Sequence, residues 1–433
     1  MGSRFLKILG LMCVLCCSLA WGIERFPPPD FEGGYTFPTT TTPTPDGNWT
    51  EWLDVIVLAA ALSLGAYLVL KKRSRAWVFG LMLFSLAYFG FYRKGCICAI
   101  GAIQNVALTL CDPNYAIPVT SLLFFVLPLL FTLFFGRIFC GAVCPLGAIQ
   151  DLVLMKPVAV PPWLESGLRM IAYVYLGLAV LFAATDSAFL ICRYDPFVAI
   201  FRLTGNMPVF VLGGCFLVIG LFVGRPYCRF VCPYGVILRQ FSRLSKWRVS
   251  ITPTDCISCR LCENACPFGA IEGPEPQWPR QDYVKGRRTV LFLIIALPVL
   301  IMLGAGLGNV AAPGLSQMNP TVQVAQRVLL EGQGEVAETT DQSDAFRASG
   351  NTPESLYAQA DQIQAQFAIG SIMVGAFLGL VVGLKLVRVS IRRDRTGYEA
   401  QKAGCLACAR CYQSCPQERL RRKSNKELVG AAQ

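Results

Sequence analysis

A chain of 433 residues with 54% hydrophobic and only 15% charged residues is too apolar for a soluble globular protein. Its formal charge of +12 invites a nucleic-acid reading, but Lys and Arg gather beside apolar runs, which is the pattern of membrane topology. There is no histidine, and this excludes histidine-ligated haem b, C-x-x-C-H haem c, Rieske clusters and histidine-bound copper or zinc, so this chain alone holds no haem.

Residues 1–20 carry Arg4 and Lys7 ahead of an apolar core and end in the small residues Ser18 and Ala20, as a signal peptide or an N-terminal membrane anchor does. Residues 21–50, with Pro27-Pro28-Pro29 and a Thr/Pro stretch, read as an extended periplasmic linker. Apolar runs near 52–70, 76–92, 117–135, 168–185, 207–223, 289–308 and 367–387 predict a mainly α, polytopic transmembrane fold of seven or eight helices in the lipid bilayer. Lys71-Lys72-Arg73 sets the end of the first run inside, and the stretch 225–248 holds six basic residues and no acid, again inside. The loop 309–366, with Arg327 and Arg347 as its only basic residues, then falls outside. Arg93, Lys94 and Arg193 break this rule, since they fall on the outer side.

The transmembrane core, 51–245, contains a helix-hairpin repeat: Gly136-Arg-Ile-Phe-Cys140-Gly-Ala-Val-Cys144-Pro matches Gly224-Arg-Pro-Tyr-Cys228-Arg-Phe-Val-Cys232-Pro. Upstream of these inner C-x3-C-P turns lie Cys111-Asp112-Pro113 and Cys192-Arg-Tyr-Asp195-Pro196. A partial echo, Cys98-Ala-Ile-Gly-Ala-Ile-Gln, is close to Cys144-Pro-Leu-Gly-Ala-Ile-Gln but falls on the outer side. Repeats in membrane proteins commonly build a functional site at their interface. Cys140, Cys144, Cys228 and Cys232 are therefore candidates for a third iron–sulfur cluster, against the alternatives of a redox dithiol or packed thiols. Cys96, Cys98, Cys111 and Cys192 form a candidate outer cluster, against a disulfide or isolated thiols. Asp112 and Asp195 sit beside Pro at helix ends, as turn or cap residues or as proton acceptors from a quinol. Cys215 reads as packing.

Cys256-Ile-Ser-Cys259-Arg-Leu-Cys262-Glu-Asn-Ala-Cys266-Pro267 has the C-x2-C-x2-C-x3-C-P spacing of a bacterial [4Fe–4S] ferredoxin run, and Cys405, Cys408, Cys411 and Cys415-Pro416 repeat it. In two-cluster ferredoxins the fourth cysteine of each run ligates the other cluster. One set is then Cys256, Cys259, Cys262 and Cys415, and the other Cys405, Cys408, Cys411 and Cys266. The short spacers aim backbone N–H groups at the sulfurs, which tunes the potential. The ferredoxin is split: half one at 246–288, a helix at 289–308, the outer loop 309–366, a helix at 367–390, and half two at 391–433. Both halves fall on the cytoplasmic side, where they can meet.

Paired C-x3-C-P turns between membrane helices, followed by ferredoxin cysteines, resemble the NapH/NosR/CcoG-type membrane-bound polyferredoxins. The resemblance spans roughly 50–270 plus the last run, and departs from the pattern in the membrane segments between the ferredoxin halves. It implies a bacterial inner-membrane electron-transfer subunit that passes electrons between cytoplasmic or quinol donors and a membrane or periplasmic partner such as a flavoprotein or multihaem protein. The alternatives are a self-contained quinol dehydrogenase, and a redox-sensing or metallocentre-maturation protein. No nucleic acid is expected as a partner, and no catalytic acid–base pair is visible.

Overall fold

The computed structural model describes residues 49–95, 98–113, 115–203, 207–251, 256–274, 280–336, 338–391 and 397–421. The N-terminal segment, with its leader or anchor and most of its linker, and Cys96 lie outside the described residues.

Every apolar run becomes a helix. The core comprises α1 (Trp49–Leu70), α2 (Arg75–Ser85, continued by a π-helical Leu86–Tyr92), α3 (Ala102–Cys111) and α4 (Val119–Phe135). A π-helical turn at Phe139–Val143 leads into α5 (Pro145–Leu152), followed by α6 (Pro162–Ala184), α7 (Leu190–Tyr194), α8 (Pro196–Arg202), α9 (Met207–Gly220), α10 (Pro226–Phe230) and α11 (Pro233–Phe241). Then come α12 (Leu261–Asn264), β1 (Ile271–Glu272), α13 (Arg280–Ser316), α14 (Pro320–Gly332), α15 (Asp341–Ala348), α16 (Pro353–Ser390), β2 (Glu399–Ala400) and α17 (Arg410–Ser414). Among the described residues five helices are long and apolar enough to cross a membrane: α1, α2 with its π segment, α6, α13 and α16. The pair α8–α9, bent by 105°, makes a sixth if counted as one span, while α4 is apolar but only 17 residues long.

The Cys-Pro dipeptides are helix starters. Proline fixes its own φ for the first helical turn and holds the residue before it extended. Cys144 (ψ 119°) and Cys232 (ψ 114°) accordingly are extended N-caps of α5 and α11, and Asp195 (ψ 115°) caps α8 in the same way.

Helices α13 and α16 pack along a seam of glycines. A Cβ at Gly304 or Gly308 would run into the carbonyl of Gly375 or Ser371, and one at Gly375 or Gly379 into that of Gly304 or Leu300. This is the small-xxx-small device that lets membrane helices touch backbone to backbone. At 37 and 38 residues both helices overrun the apolar runs within them, reaching about 55 Å against a hydrocarbon core of about 30 Å. The segment expected as one loop, 309–366, is helical for most of its length. Asn319, Thr340 and Thr352 each accept a backbone N–H as N-caps of α14, α15 and α16. Val322, Ala325, Val328, Leu356 and Ala360 then close a small core of their own. Asn319 Nδ2 donates to Ser187 Oγ at 2.7 Å, which ties this cap to the main bundle.

At the other end the hairpin returns the chain to its ferredoxin partner. Strands β1 and β2 pair antiparallel, Ile271 with Ala400 and Glu272 with Glu399, and Gln401 N donates to Ala270 O at 2.8 Å.

Candidate metal centres

The two ferredoxin loops fold alike although a membrane hairpin separates them. The residues flanking the second cysteine take left-handed φ in both: Ser258 (52°) and Arg260 (60°) around Cys259, Ala407 (53°) and Ala409 (60°) around Cys408. Non-glycine residues rarely adopt this conformation, and here it curls each loop about its second cysteine. A short helix, α12 or α17, follows in each half.

Cys256, Cys259, Cys262 and Cys415 line a single pocket, the crossed set expected from the spacing. Cys266, Cys405 and Cys408 pack around Phe268, Ala270 and Leu406, and Cys411 joins Cys266 against Ile271 and Tyr398, which gathers the second crossed set. Ala270 N donates to Cys266 Sγ and Ala407 N to Cys405 Sγ, both at 3.4 Å. Burial pushes the Cys405 thiol up to about 12 and raises Cys262, Cys266 and Cys411, with neighbouring thiols of the same set adding to each shift. Such thiols ionise only against a bound cation, which deprotonates them outright. Among the described residues no three of Cys, Asp or Glu come close enough to hold one metal ion. Two four-thiol sets crossed between C-x2-C-x2-C-x3-C-P runs fit a multi-iron cluster better than a zinc ion.

The inner turns also converge. Cys140, Cys144, Cys228 and Cys232 lie within electrostatic reach of one another; Cys144 and Cys232 are buried. Gly235 N donates to Cys232 Sγ at 3.3 Å, Gln150 Nε2 to Cys228 Sγ at 3.2 Å, and Arg137 Nη2 lies 3.6 Å from Cys140 Sγ. Cys140 packs into the same apolar group as Cys266, Cys405 and Cys408. Gly141 admits the Leu406 carbonyl where any Cβ would collide, and Gly224 lies against Pro267 and Phe268. The second ferredoxin set therefore sits directly on the inner turns.

A charged hub at this junction was missed in the sequence. Asp151, at the end of α5, pairs with Arg75 at 2.5 Å, Arg410 at 3.1 Å and Arg225 at 3.4 Å. Arg225, with no exposed surface, also donates to the carbonyls of Cys140 and Gly141, and Arg75 donates to Cys408 O at 3.1 Å. The Gly-Arg that opens both repeat turns, Arg137 and Arg225, was the available signal: a basic residue kept in both copies beside the thiols. Arg73 adds an ion pair to Glu418 at 3.0 Å, so the basic run that follows α1 also docks half two.

The outer candidates divide. Cys98, Cys192 and Asp195 line one cavity of about 270 Å³ together with Glu51, Arg93 and Arg202. Cys111 does not join them: α3 carries it, exposed, to its far end, where Asp112 is the C-cap. Arg93 pairs with buried Asp54 at 2.7 Å, and Tyr88 Oη donates to the same carboxylate at 2.8 Å. This specific partner accounts for one basic residue on the face where the topology rule expects none. Cys215, expected to pack, is disulfide-bonded.

Two sequence families match: a 4Fe–4S binding domain over residues 117–160, which contains Cys140 and Cys144, and a 4Fe–4S dicluster domain over 224–270, which contains Cys228, Cys232 and the first ferredoxin run. The putative electron transport protein YccM of Escherichia coli K12 is 27% identical over 118 residues, 25% of this chain and 33% of YccM. Protein NirI of Paracoccus denitrificans is 30% identical over 123 residues, 27% of this chain and 18% of NirI. An uncharacterized protein of Methanocaldococcus jannaschii is 36% identical over 67 residues, 16% of this chain and 27% of that protein. The chain thus spans about a third or less of these relatives' lengths. No solved structure matches. The resemblance read from the cysteine runs agrees with both domain matches and both named relatives: this helical, apolar chain carries two 4Fe–4S binding domains and is similar, over these regions, to electron-transport proteins with such domains.

Proposed function

We propose that this protein is an electron-transfer subunit of a bacterial inner-membrane redox complex. It connects cytoplasmic or quinol donors with a membrane or periplasmic partner, a flavoprotein or multihaem protein being the fitting classes. The ferredoxin halves face the cytoplasm, and the capped helices within 309–366 face the periplasm as the docking side. The crossed cysteine sets are the ligands of the two clusters, and Cys140, Cys144, Cys228 and Cys232 hold a third.

One observation carries this reading: Cys140 of the inner turn packs in the same apolar group as Cys266, Cys405 and Cys408. A [4Fe–4S] group, when bound, supplies one-electron transfer at a potential set by its hydrogen bonds, charge and exposure. The chain holds each thiol in place, points N–H donors at the sulfurs and brings Arg137 and Arg225 beside the inner set. Buried guanidiniums there offset the negative charge of thiolate ligands.

The test is iron and acid-labile sulfide per chain on anaerobically purified protein, with EPR during reductive titration. Cys140→Ser is expected to remove about four irons and one signal, leaving about eight irons in the ferredoxin. Iron unchanged in that variant would reduce the inner set to a dithiol or packing role. Zinc in place of iron would sink the whole reading.

A further inference from the structure

We propose that the outer cavity is a second intramembrane iron–sulfur site, a partial copy of the inner one in which Cys98, Cys192 and the Asp195 carboxylate stand where the inner site has Cys144, Cys228 and Cys232; among the described residues nothing matches Cys140. This rests on the reading of the inner thiols as a cluster site.

The copy is visible in hydrogen bonds. Cys144-Pro-Leu-Gly147-Ala-Ile-Gln150 ends in a glutamine whose Oε1 accepts from Tyr227 N at 3.0 Å, immediately before Cys228. Cys98-Ala-Ile-Gly101-Ala-Ile-Gln104 ends in one whose Oε1 accepts from Ile191 N at 3.0 Å and Cys192 N at 3.4 Å. Cys98 thus stands to Cys192 as Cys144 stands to Cys228. The two glycines match as well. A Cβ at Gly147 would lie 2.9 Å from Arg225 Nη1, and one at Gly101 would lie 3.4 Å from Cys192 Sγ. Each glycine faces the segment that carries the paired cysteine, Arg225 before Cys228 in the inner copy and Cys192 itself in the outer.

The match extends to the next residue of the set. Cys228 is followed by Cys232-Pro233, and Cys192 by Asp195-Pro196. Cys232 and Asp195 are both extended N-caps before a proline, and each accepts a backbone N–H from its own helix, at 3.3 Å from Gly235 and 2.9 Å from Phe197. That bond uses only Oδ1 of Asp195. Its Oδ2 is buried with no hydrogen-bond partner, on a residue 2% exposed that lines the cavity with Cys98 and Cys192. An unanswered buried carboxylate oxygen is costly, and a cationic ligand atom removes the cost.

The occupant follows from size and donor type. The three donors do not approach closely enough for a single ion, yet they share a cavity of about 270 Å³. Two thiols and a carboxylate suit iron, and the cavity also carries Arg202, Glu51 and Arg93, the last paired with Asp54. A smaller cavity of about 20 Å³ is lined by both Cys98 and Cys144, so the outer and inner sites are immediate neighbours. The Phe197 ring, next but one to Asp195, meets Tyr227 edge-on at 5.4 Å in the same interval. Electron exchange between the sites is one electron lost at one and gained at the other, with no bond of the chain made or broken.

The experiment uses the full chain, purified anaerobically, with iron and sulfide counted and EPR recorded through a reductive titration. Cys192→Ser and Asp195→Ala are each expected to remove one signal and about four irons while the ferredoxin signals persist. Asp195→Cys is expected to keep the iron and move that signal's midpoint to a more negative potential, because a thiolate donates more charge than a carboxylate. This variant also separates ligand loss from misfolding. Cys111→Ser is expected to change nothing. Full iron with unchanged signals in Asp195→Ala overturns the proposal. So does a cavity that binds a short-chain quinone analogue through Asp195 while the iron count stays constant. If Cys140→Ser removes iron and Cys192→Ser does not, the outer site alone fails; the reverse result fails the inner site and leaves the outer one standing.

Discussion

Asp151 is a single carboxylate facing three guanidiniums from three parts of the chain, Arg75 of α2, Arg225 of the second turn and Arg410 of ferredoxin half two. Burial acting alone would raise its pKa, but Arg225, Arg410 and Arg75 outweigh that and hold it well below the usual carboxylate range. A depressed carboxylate contributes its stability fully above the unfolded pKa, about 3.9, and loses it only as pH falls below that value. Asp151→Asn leaves buried cations unanswered and is expected to cost about 3–5 kcal/mol. In thermal unfolding of the detergent-solubilised protein, the gap between parent and variant should stay constant from neutral pH down to about 5 and shrink under stronger acid. A gap that closes already near neutrality would show that Asp151 is not the paired carboxylate. The repeated Gly-Arg pointed to Arg225, but Asp151 was not legible in the sequence, where an acid after Gln150 looks like any surface residue. Ion pairs that join distant segments leave no spacing pattern.

Among the elements, the α13–α16 seam holds the molecule's two halves in register. Gly375→Leu must push the helices apart, at a cost of at least about 1–3 kcal/mol, whereas Gly306 faces open space and Gly306→Leu should be silent. The expected readout is iron: Gly375→Leu loses ferredoxin iron although it lies far from every ligand, and Gly306→Leu keeps it. Equal iron in both would show that the seam does not set the pairing of β1 with β2. The glycine spacing was present in the sequence, but spacing alone does not say which helix the glycines face. The apolar runs placed the helices correctly, yet understated α13 and α16, because each runs on beyond its apolar stretch, α13 from Arg280 to Ser316 and α16 from a start capped by Thr352. The ferredoxin runs stand out in the sequence because a ligand loop writes its geometry into local spacing, and the chain brings the expected cysteines together. Asp195 was flagged only as a cap or proton acceptor, because a search by thiol spacing sees no carboxylate.

Across the whole molecule the thiol sets form one sequence of neighbours, from Cys256 at the exposed end, through Cys408 and Cys140, to Cys144 beside Cys98. Truncation before residue 397 is expected to abolish both ferredoxin sets together, a loss of about eight irons rather than four, because each set draws on both halves. Loss of only half that iron would mean that each run loads alone.

The two-residue pairing of β1 with β2 closes a loop of about 130 residues that leaves the ferredoxin side, crosses to the far face and comes back. With the crossed sets as the proposed ligands, the first run waits during synthesis, one thiol short, until the last helix has been threaded and Cys415 has emerged. Metal loading is then expected late in biogenesis, and a chain that has inserted its last hairpin wrongly is expected to stay colourless.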